Sequence, residues 1–177
     1  MYKPRIIPCL LLRGNSLVKT IKFSNDVYIG DPVNAIRIFN EKEVDELVIL
    51  DIEASLHSKD PNYELIEEMA SEAFMPVAYG GGITKLSQAK HLIRAGIEKI
   101  VLNSSITVNP ELMVQISETF GKQAIIASVD VRKSIFKGYK AYTHSGTKEV
   151  KESLNEYIEK IVSLGAGELL NSNFLIF

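Results

Sequence analysis

Val77-Ala78-Tyr79-Gly80-Gly81-Gly82-Ile83-Thr84 is an apolar run that ends in three glycines and gives way at once to a helix signal. Glycine lets backbone approach a ligand closely and supplies torsions that side chains forbid. The N–H groups that open a helix lack intrahelical partners, and the helix dipole favours an anion there. The stretch therefore reads as strand, turn and helix of a β/α unit with a phosphate seat at the turn, although a plain tight turn explains the glycines nearly as well. Its weight comes from the same grammar recurring on both sides of it.

Working outward, Pro76–Tyr79 is a strand and Thr84–Ala95 a helix closed by Gly96 as a left-handed cap. Upstream, Arg5–Leu12 is a first strand, Arg13-Gly14-Asn15-Ser16 a polar turn, and Leu17–Phe23 a small hairpin or loop excursion. Asp31-Pro32 opens a helix, Asp as cap and Pro at the first helical position, expected to bury Val33, Ile36, Ile38 and Phe39. Glu46–Ile52 is an unbroken apolar strand of the kind found in parallel sheets covered on both faces, and Pro61–Ala73 is a helix with Leu65, Ile66 and Met69 inward. Downstream follow a strand at Lys99–Leu102, a helix from Asn109-Pro110 to Phe120-Gly121 and a strand at Gln123–Val129. A β-excursion spans Phe136–Thr143 with a turn at Lys137-Gly138, Lys151–Leu164 is a helix, and a sixth strand starts at Glu168–Leu170.

The chain has 177 residues, 46% hydrophobic and 24% charged, with a net charge of −2. That is enough for one domain, residues 1–177, with a core, and it is not basic enough for a nucleic-acid footprint. No apolar run approaches transmembrane length and the start lacks a signal-peptide core, so the default expectation is a cytoplasmic protein with no membrane role. The single cysteine, Cys9, is expected to be a buried packing residue in its strand, and His57, His91 and His144 are scattered without metal-ligand spacing. No metal and no cofactor is implied.

Five βα units and the start of a sixth strand point to an α/β fold of the (β/α)-barrel kind, with an open doubly wound sheet as the runner-up. Polar residues recur at strand C-terminal ends: Asp51, Gly80 to Gly82, Asn103 with Ser104, Asp130, and Asn171 with Ser172. A barrel assembles its site from such ends at one face, which favours the barrel.

The motifs Gly30-Asp31-Pro32, Asp45-Glu46-Leu47, Leu50-Asp51-Ile52, Gly80-Gly81-Gly82-Ile83, Leu102-Asn103-Ser104 and Thr119-Phe120-Gly121, in this order, resemble the cyclase subunit of imidazole glycerol phosphate synthase. The similarity runs from Arg5-Ile6-Ile7-Pro8-Cys9-Leu10 to Gly165-Ala166-Gly167-Glu168. The resemblance implies a TIM (β/α)8-type barrel that takes ammonia from a glutaminase amidotransferase partner, as a heterodimer. The ammonia closes an imidazole ring on a phosphorylated small molecule, a phosphoribosyl substrate, in histidine biosynthesis. It implies a phosphate seat at Gly82, Asn103 and Ser104, to which Lys19 belongs unless it is only an exposed loop lysine. It implies an ammonia gate at Arg5, Glu46, Lys99 and Glu168, each at the start of a strand; a structural charge plug at the barrel end fits the same residues equally well. Glu98, beside the ring, is a candidate for the glutaminase interface, against the plainer reading of a solvated acid.

Two departures stand out. The family uses one aspartate at the end of strand one and one at the end of strand five; Asp130 matches the second, while the first position reads Leu11. Leucine cannot carry a proton, and dividing acid and base roles needs two groups, so ring closure by this chain is expected to be impaired. Cys9-Leu10-Leu11-Leu12 with Val18-Lys19-Thr20-Ile21-Lys22-Phe23 is similar to cyclase-subunit paralogues associated with surface-polysaccharide genes, which supply ammonia for converting a sugar acetamido group to an acetamidino group. The second departure is Leu169-Leu170-Asn171-Ser172-Asn173-Phe174-Leu175-Ile176-Phe177, where the family continues with further βα units. An incomplete, C-terminally truncated barrel is the expectation, with unpaired edges, marginal stability and little activity. Three functions thus stand side by side: a lyase of the cyclase type, an ammonia-channelling subunit in lipopolysaccharide sugar modification, and a non-catalytic fragment that docks a glutaminase.

Overall fold

Leu47, Val48 and Ile49 lie in one apolar run, and in the computed structural model each is at most 2% exposed, so the strand they form is covered on both faces. The structure describes residues 4–21, 24–54, 59–134, 138–144 and 146–174. Lys22, Phe23, His57, Phe136, Lys137 and the tail Leu175-Ile176-Phe177, about which the sequence raised expectations, lie outside the described residues. The chain divides into two units, residues 1–83 with 87–100, and residues 84–86 with 101–177.

In the first unit β1 (Cys9–Arg13), β4 (Leu47–Asp51) and β5 (Val77–Gly80) pair in parallel, while β2 (Ser16–Ile21) and β3 (Ser24–Gly30) extend the sheet as antiparallel additions in the order β3-β2-β1-β4-β5. The excursion expected after Ser16 is thus a hairpin, and it runs on to Gly30. β1 begins four residues later than expected. Pro8 has no N–H to give to a ladder, although its carbonyl accepts from Val48 N at 2.9 Å and keeps the chain alongside β4. α1 (Pro32–Glu41) starts as the sequence predicts, with the Asp31 carboxylate accepting from Asn34 N at 2.9 Å and Pro32 in the first turn. α2 (Tyr63–Glu72) is capped by Asn62, and α3 (Leu86–Arg94) follows the glycine turn.

Two burial expectations are corrected in this unit. Ile38 is 55% exposed: the buried stripe of α1 is Pro32, Val33 and Ile36, and a residue two places beyond Ile36 is turned to the opposite side of a helix of 3.6 residues per turn. Phe39 is half-buried. Cys9 is exposed rather than packed; successive strand residues face opposite ways, and Leu12, on the covered side of β1, is 1% exposed. Helix α3 begins two residues later than Thr84, because Gly81 and Gly82 (φ +123° and +70°) first carry the chain through an irregular turn.

β6 (Lys99–Leu102) carries the chain from the first unit to the second. The second unit holds α4 (Ser104–Val108), α5 (Pro110–Phe120), β7 (Ile125–Ser134), β8 (Gly138–Thr143), β9 (Lys148–Glu149), α6 (Leu154–Ser163) and β10 (Glu168–Phe174). β10 lies parallel to β7 over seven register pairs from Glu168↔Ile126 to Phe174↔Arg132, so the sixth strand is longer than the three residues the sequence marked. β8 and β9 fold back antiparallel on β7. The core is Leu112, Met113 and Ile116 of α5, Ile125 and Ala127 of β7, and Tyr157 and Ile161 of α6. A capping box between Ser153 and Glu156 opens α6, and it holds the Glu156 carboxyl below its ordinary range through hydrogen bonds from the Ser153 hydroxyl and N–H.

This is an α/β fold in which strands linked through helices pair in parallel and hairpins add antiparallel strands. Among the described residues, the strand order of neither unit closes on itself. No helix among the described residues is long and apolar enough to cross a membrane.

Candidate functional site

Charged residues at strand starts meet in the first unit. Glu46, immediately before β4, is 2% exposed, and its Oε2 lies 2.7 Å from Lys99 Nζ and 3.5 Å from Arg5 Nη1. Arg5 reaches Glu46 although β1 starts at Cys9, because Asp45 takes the Ile6 N–H on its carboxylate at 2.6 Å and gives its own N–H to the Ile6 carbonyl at 3.1 Å. Lys99, first residue of β6, has only 15% of its side chain exposed; Arg5 is half-exposed. Oε1 of Glu46 is buried and has no hydrogen-bond partner among the described residues. A buried carboxylate with one satisfied and one open oxygen, flanked by two cations, can accept a hydrogen bond from a small polar molecule.

A second cluster forms in the second unit between the start of α4 and the middle of β7, which runs on to Ser134, so Asp130 is a mid-strand residue and not the strand-end residue expected after Val129; the antiparallel pairing with β8 from Asp130 to Ser134 prolongs the strand. Asp130 on β7 is 6% exposed. Asn103, the residue before α4, donates its amide to the Ser128 carbonyl at 3.1 Å and to Asp130 Oδ2 at 3.4 Å. Ser104 donates its hydroxyl to Asn103 Oδ1 at 3.2 Å and accepts the His144 backbone N–H at 3.0 Å. Asn103, Ser104 and Asp130 are therefore one hydrogen-bonded set. His144, set aside by the sequence reading, supports it through its backbone, held at φ +55°, a torsion uncommon for a residue with a Cβ. α4 itself was missed: the sequence placed the helix only at Asn109-Pro110, and Asn103-Ser104, read as polar strand-end residues, are also a helix start.

The glycine turn has a structural cause as well as a candidate chemical one. A Cβ on Gly81 would collide with the Asp51 backbone, and one on Gly82 would sit 2.5 Å from the Lys59 carbonyl and 2.9 Å from Ala54 Cβ. Asp51, at the end of β4, receives the Glu53 and Ala54 N–H groups at 2.9 Å each and so ties down the loop against which the glycines pack. Gln88, on the buried face of α3, donates to the Gly82 carbonyl at 3.3 Å and to Asp60 at 2.5 Å. Its signal was legible: an amide one place before Ala89 and four before Leu92 lies on an apolar helix face. Lys19 stands exposed on β2 opposite Val27. Glu168 is the half-buried first residue of β10 in the second unit. Leu11, half-buried on β1, pairs with Leu50 on one side and Val18 on the other.

Residues 5–173 match the profile of a family described as "Histidine biosynthesis protein". Over 173 residues the chain is 47% identical to "Putative imidazole glycerol phosphate synthase subunit hisF2" of Pseudomonas aeruginosa, covering 97% of this chain and 69% of the relative. It is 42% identical over 170 residues to the imidazole glycerol phosphate synthase subunit HisF of Exiguobacterium sibiricum, covering 96% of this chain and 68% of the relative. It is 38% identical over 170 residues to the same subunit of Streptococcus sanguinis, again covering 96% and 68%. The chain spans about two thirds of the length of these relatives.

Proposed function

The chain belongs to the histidine biosynthesis protein family, as a relative of the imidazole glycerol phosphate synthase subunit HisF, and on that premise we propose that it is an ammonia-using subunit of the cyclase type acting on a phosphoribosyl substrate. In this reading the described elements correspond to the first five βα units and the sixth strand of a (β/α)8-type barrel. Ammonia arrives from a glutaminase partner past Arg5, Glu46, Lys99 and Glu168. The substrate phosphate sits against Gly82, Asn103 and Ser104 with help from Lys19, and Asp130 moves the proton that ring closure requires. The observation that carries the reading is the buried Asp130 carboxylate, midway along β7, that accepts from the Asn103 amide at 3.4 Å.

Leu11 favours a second reading, an ammonia-channelling subunit for amidination of a surface-polysaccharide sugar by a separate enzyme. One experiment separates the two. Turnover of the phosphoribosyl substrate is measured with an ammonium salt as donor, so that no glutaminase is needed, for the wild type, Leu11→Asp and Asp130→Asn. The cyclase reading expects measurable wild-type turnover that Asp130→Asn lowers by about 10²-fold or more. Turnover only in Leu11→Asp transfers the conclusion to the ammonia-channelling reading, and no turnover in either removes the cyclase reading altogether.

A further inference from the structure

His144 follows directly on β8, and all of its polar groups but one are held by a neighbour. Its N–H donates to the Ser104 hydroxyl at 3.0 Å. Its carbonyl accepts from the Thr147 hydroxyl at 2.7 Å and from the Thr147 N–H at 3.2 Å. Nδ1 of the ring lies 3.1 Å from the hydroxyl of Thr143, a residue 2% exposed. Among the described residues, none bonds Nε2. The residue is half-buried, and its backbone sits at φ +55°, a torsion that suits Gly or Asn better than a bulkier side chain. Such a torsion persists only where the surroundings over-determine it, as these bonds do.

The bonds from His144 to Ser104, from Ser104 to Asn103 and from Asn103 to Asp130 run in sequence within the second unit. Sheet register gives the same neighbourhood independently: Asp130 stands opposite Tyr142, two residues before His144. Residues so offset across an antiparallel pair are diagonal neighbours, about 7–8 Å apart. That spacing leaves room for one reacting carbon with a group on each side of it. Bonding ammonia to an electrophilic carbon moves two protons. The nitrogen lone pair forms the C–N bond, and the electron pair of the broken π bond goes to the atom beyond that carbon. That atom takes up one proton, and the nitrogen gives one up. One group has to donate and another to accept. Asp130 supplies one of them, and Leu11 can supply neither. Imidazole as a class gives and takes protons near neutral pH. With the Thr143 hydroxyl accepting from Nδ1–H, the ring keeps its bond whether or not Nε2 carries a proton.

We propose that His144 is the second proton-carrying group of the site, working through Nε2 across the bound substrate from Asp130. The proposal rests on the cyclase reading of Asp130. His144→Asn puts in a side chain that tolerates the torsion, which preserves the N–H bond to Ser104, but it cannot carry a proton. It is expected to lower ammonium-dependent kcat by about 10²-fold or more while its KM and thermal melt stay near those of the wild type. His144→Gly is expected to lose turnover to a similar degree and to regain part of it as free imidazole is added, a response that a merely structural histidine does not give. The asparagine variant carries the test if the glycine variant loses its circular dichroism signal. His91→Asn, at an exposed position of α3, is expected to turn over like the wild type. A readout independent of turnover is carbethoxylation of the full chain by diethyl pyrocarbonate, mapped by mass spectrometry. Ribose 5-phosphate is expected to slow modification of His144 and to leave that of His91 unchanged. If His144→Asn turns over like the wild type, if imidazole does nothing for a folded His144→Gly, or if ribose 5-phosphate shields neither histidine, the role given to His144 falls and the cyclase reading stands. If the wild type itself never turns over, the cyclase reading falls and takes the role of His144 with it.

Discussion

Removing Lys99 while leaving Glu46 in place tests whether the charged cluster is held by its buried acid. At 2.7 Å the gross attraction between Lys99 Nζ and Glu46 Oε2 is about 6 kcal/mol at an effective dielectric of about 20. The 3.5 Å pairing with Arg5 is weaker, and Arg5, with 54% of its side chain exposed, is further screened by water. Most of the Lys99 attraction is spent on keeping Glu46 out of water, since its side chain is only 3% exposed. Lys99→Met cancels the attraction and keeps the desolvation, so the expected loss at neutral pH is about 3–5 kcal/mol, the usual cost of stranding one buried partner. Adding Glu46→Leu removes the stranded charge, and the double variant is expected to recover to within about 1–2 kcal/mol of wild type. Urea melts of the wild type, both single variants and the double variant give the cycle, followed by far-ultraviolet circular dichroism and by tyrosine fluorescence to check that both signals move together. If Lys99→Met costs under about 1 kcal/mol, the range of an exposed pair, or if the second substitution brings no recovery, the cluster is a solvated rim and not a buried-acid device.

Gly82→Ala is expected to destabilise by about 2 kcal/mol or more, because φ +70° is strained for alanine and its methyl would meet the Lys59 carbonyl at 2.5 Å; thermal melting checks it. Asn103→Ala removes the amide bonds to Asp130 Oδ2 and to the Ser128 carbonyl together, and on the proposed cyclase function is expected to lower ammonium-dependent kcat by about 10–100-fold while costing about 1 kcal/mol of stability; kinetics and a urea melt on one preparation separate the effects. The Tyr157 hydroxyl has no hydrogen-bond partner among the described residues, and burial, with smaller contributions from Glu152 and Asp130, pushes its pKa from 10.0 to about 12. The folded form therefore holds its proton above the point where the unfolded chain releases it, so stability is full below about pH 10 and falls as pH rises toward 12. Tyr157→Phe is expected to be neutral or slightly stabilising at pH 7 and to flatten that alkaline fall, read as the difference between the two proteins' melting curves against pH.

What the sequence reveals and conceals follows from how far each signal reaches. Asp31-Pro32 declares a helix start because cap and first turn are neighbours in the chain, and Asp31 does accept from Asn34. Leu47, Val48 and Ile49 declare a covered strand because only burial on two faces tolerates such a run. Cys9 and Ile38 were misread because an apolar residue does not say whether anything packs over it; that depends on elements distant in sequence. Glu46, Lys99 and Arg5 form a group in the sequence only through the family resemblance, and nothing local says that Glu46 bridges the other two. The bond from Asn103 to Asp130 spans 27 residues and depends on side-chain direction at the end of β6 and midway along β7, which composition and periodicity do not encode. Gln88 is the opposite case: an amide on an apolar helix face is visible in the sequence, and its partners Asp60 and Gly82 explain it at once.

Leu11 bears most directly on what this chain does, and its surroundings carry an argument. In register it faces Leu50 on β4 and Val18 on β2, so its strand neighbours on both sides are apolar, and Val18 is 7% exposed. A carboxylate at that position would meet no side-chain donor on Leu50 or Val18 and would be partly desolvated between them, which favours its neutral form. The leucine is consistent with its neighbours at every level the structure describes, and such consistency is what a sequence settled around a residue produces. Asp130, by contrast, keeps the Asn103 amide that orients it. On the proposed function, the position where the family resemblance expects a first proton-carrying group lies in the apolar surroundings of β1, while Asp130 has a hydrogen-bonded support. Asn103, Ser104 and the His144 backbone form a connected hydrogen-bonded arrangement that reaches Asp130. On the proposed function, this asymmetry fits a reaction or a binding step that needs one acid at β7 and none at β1.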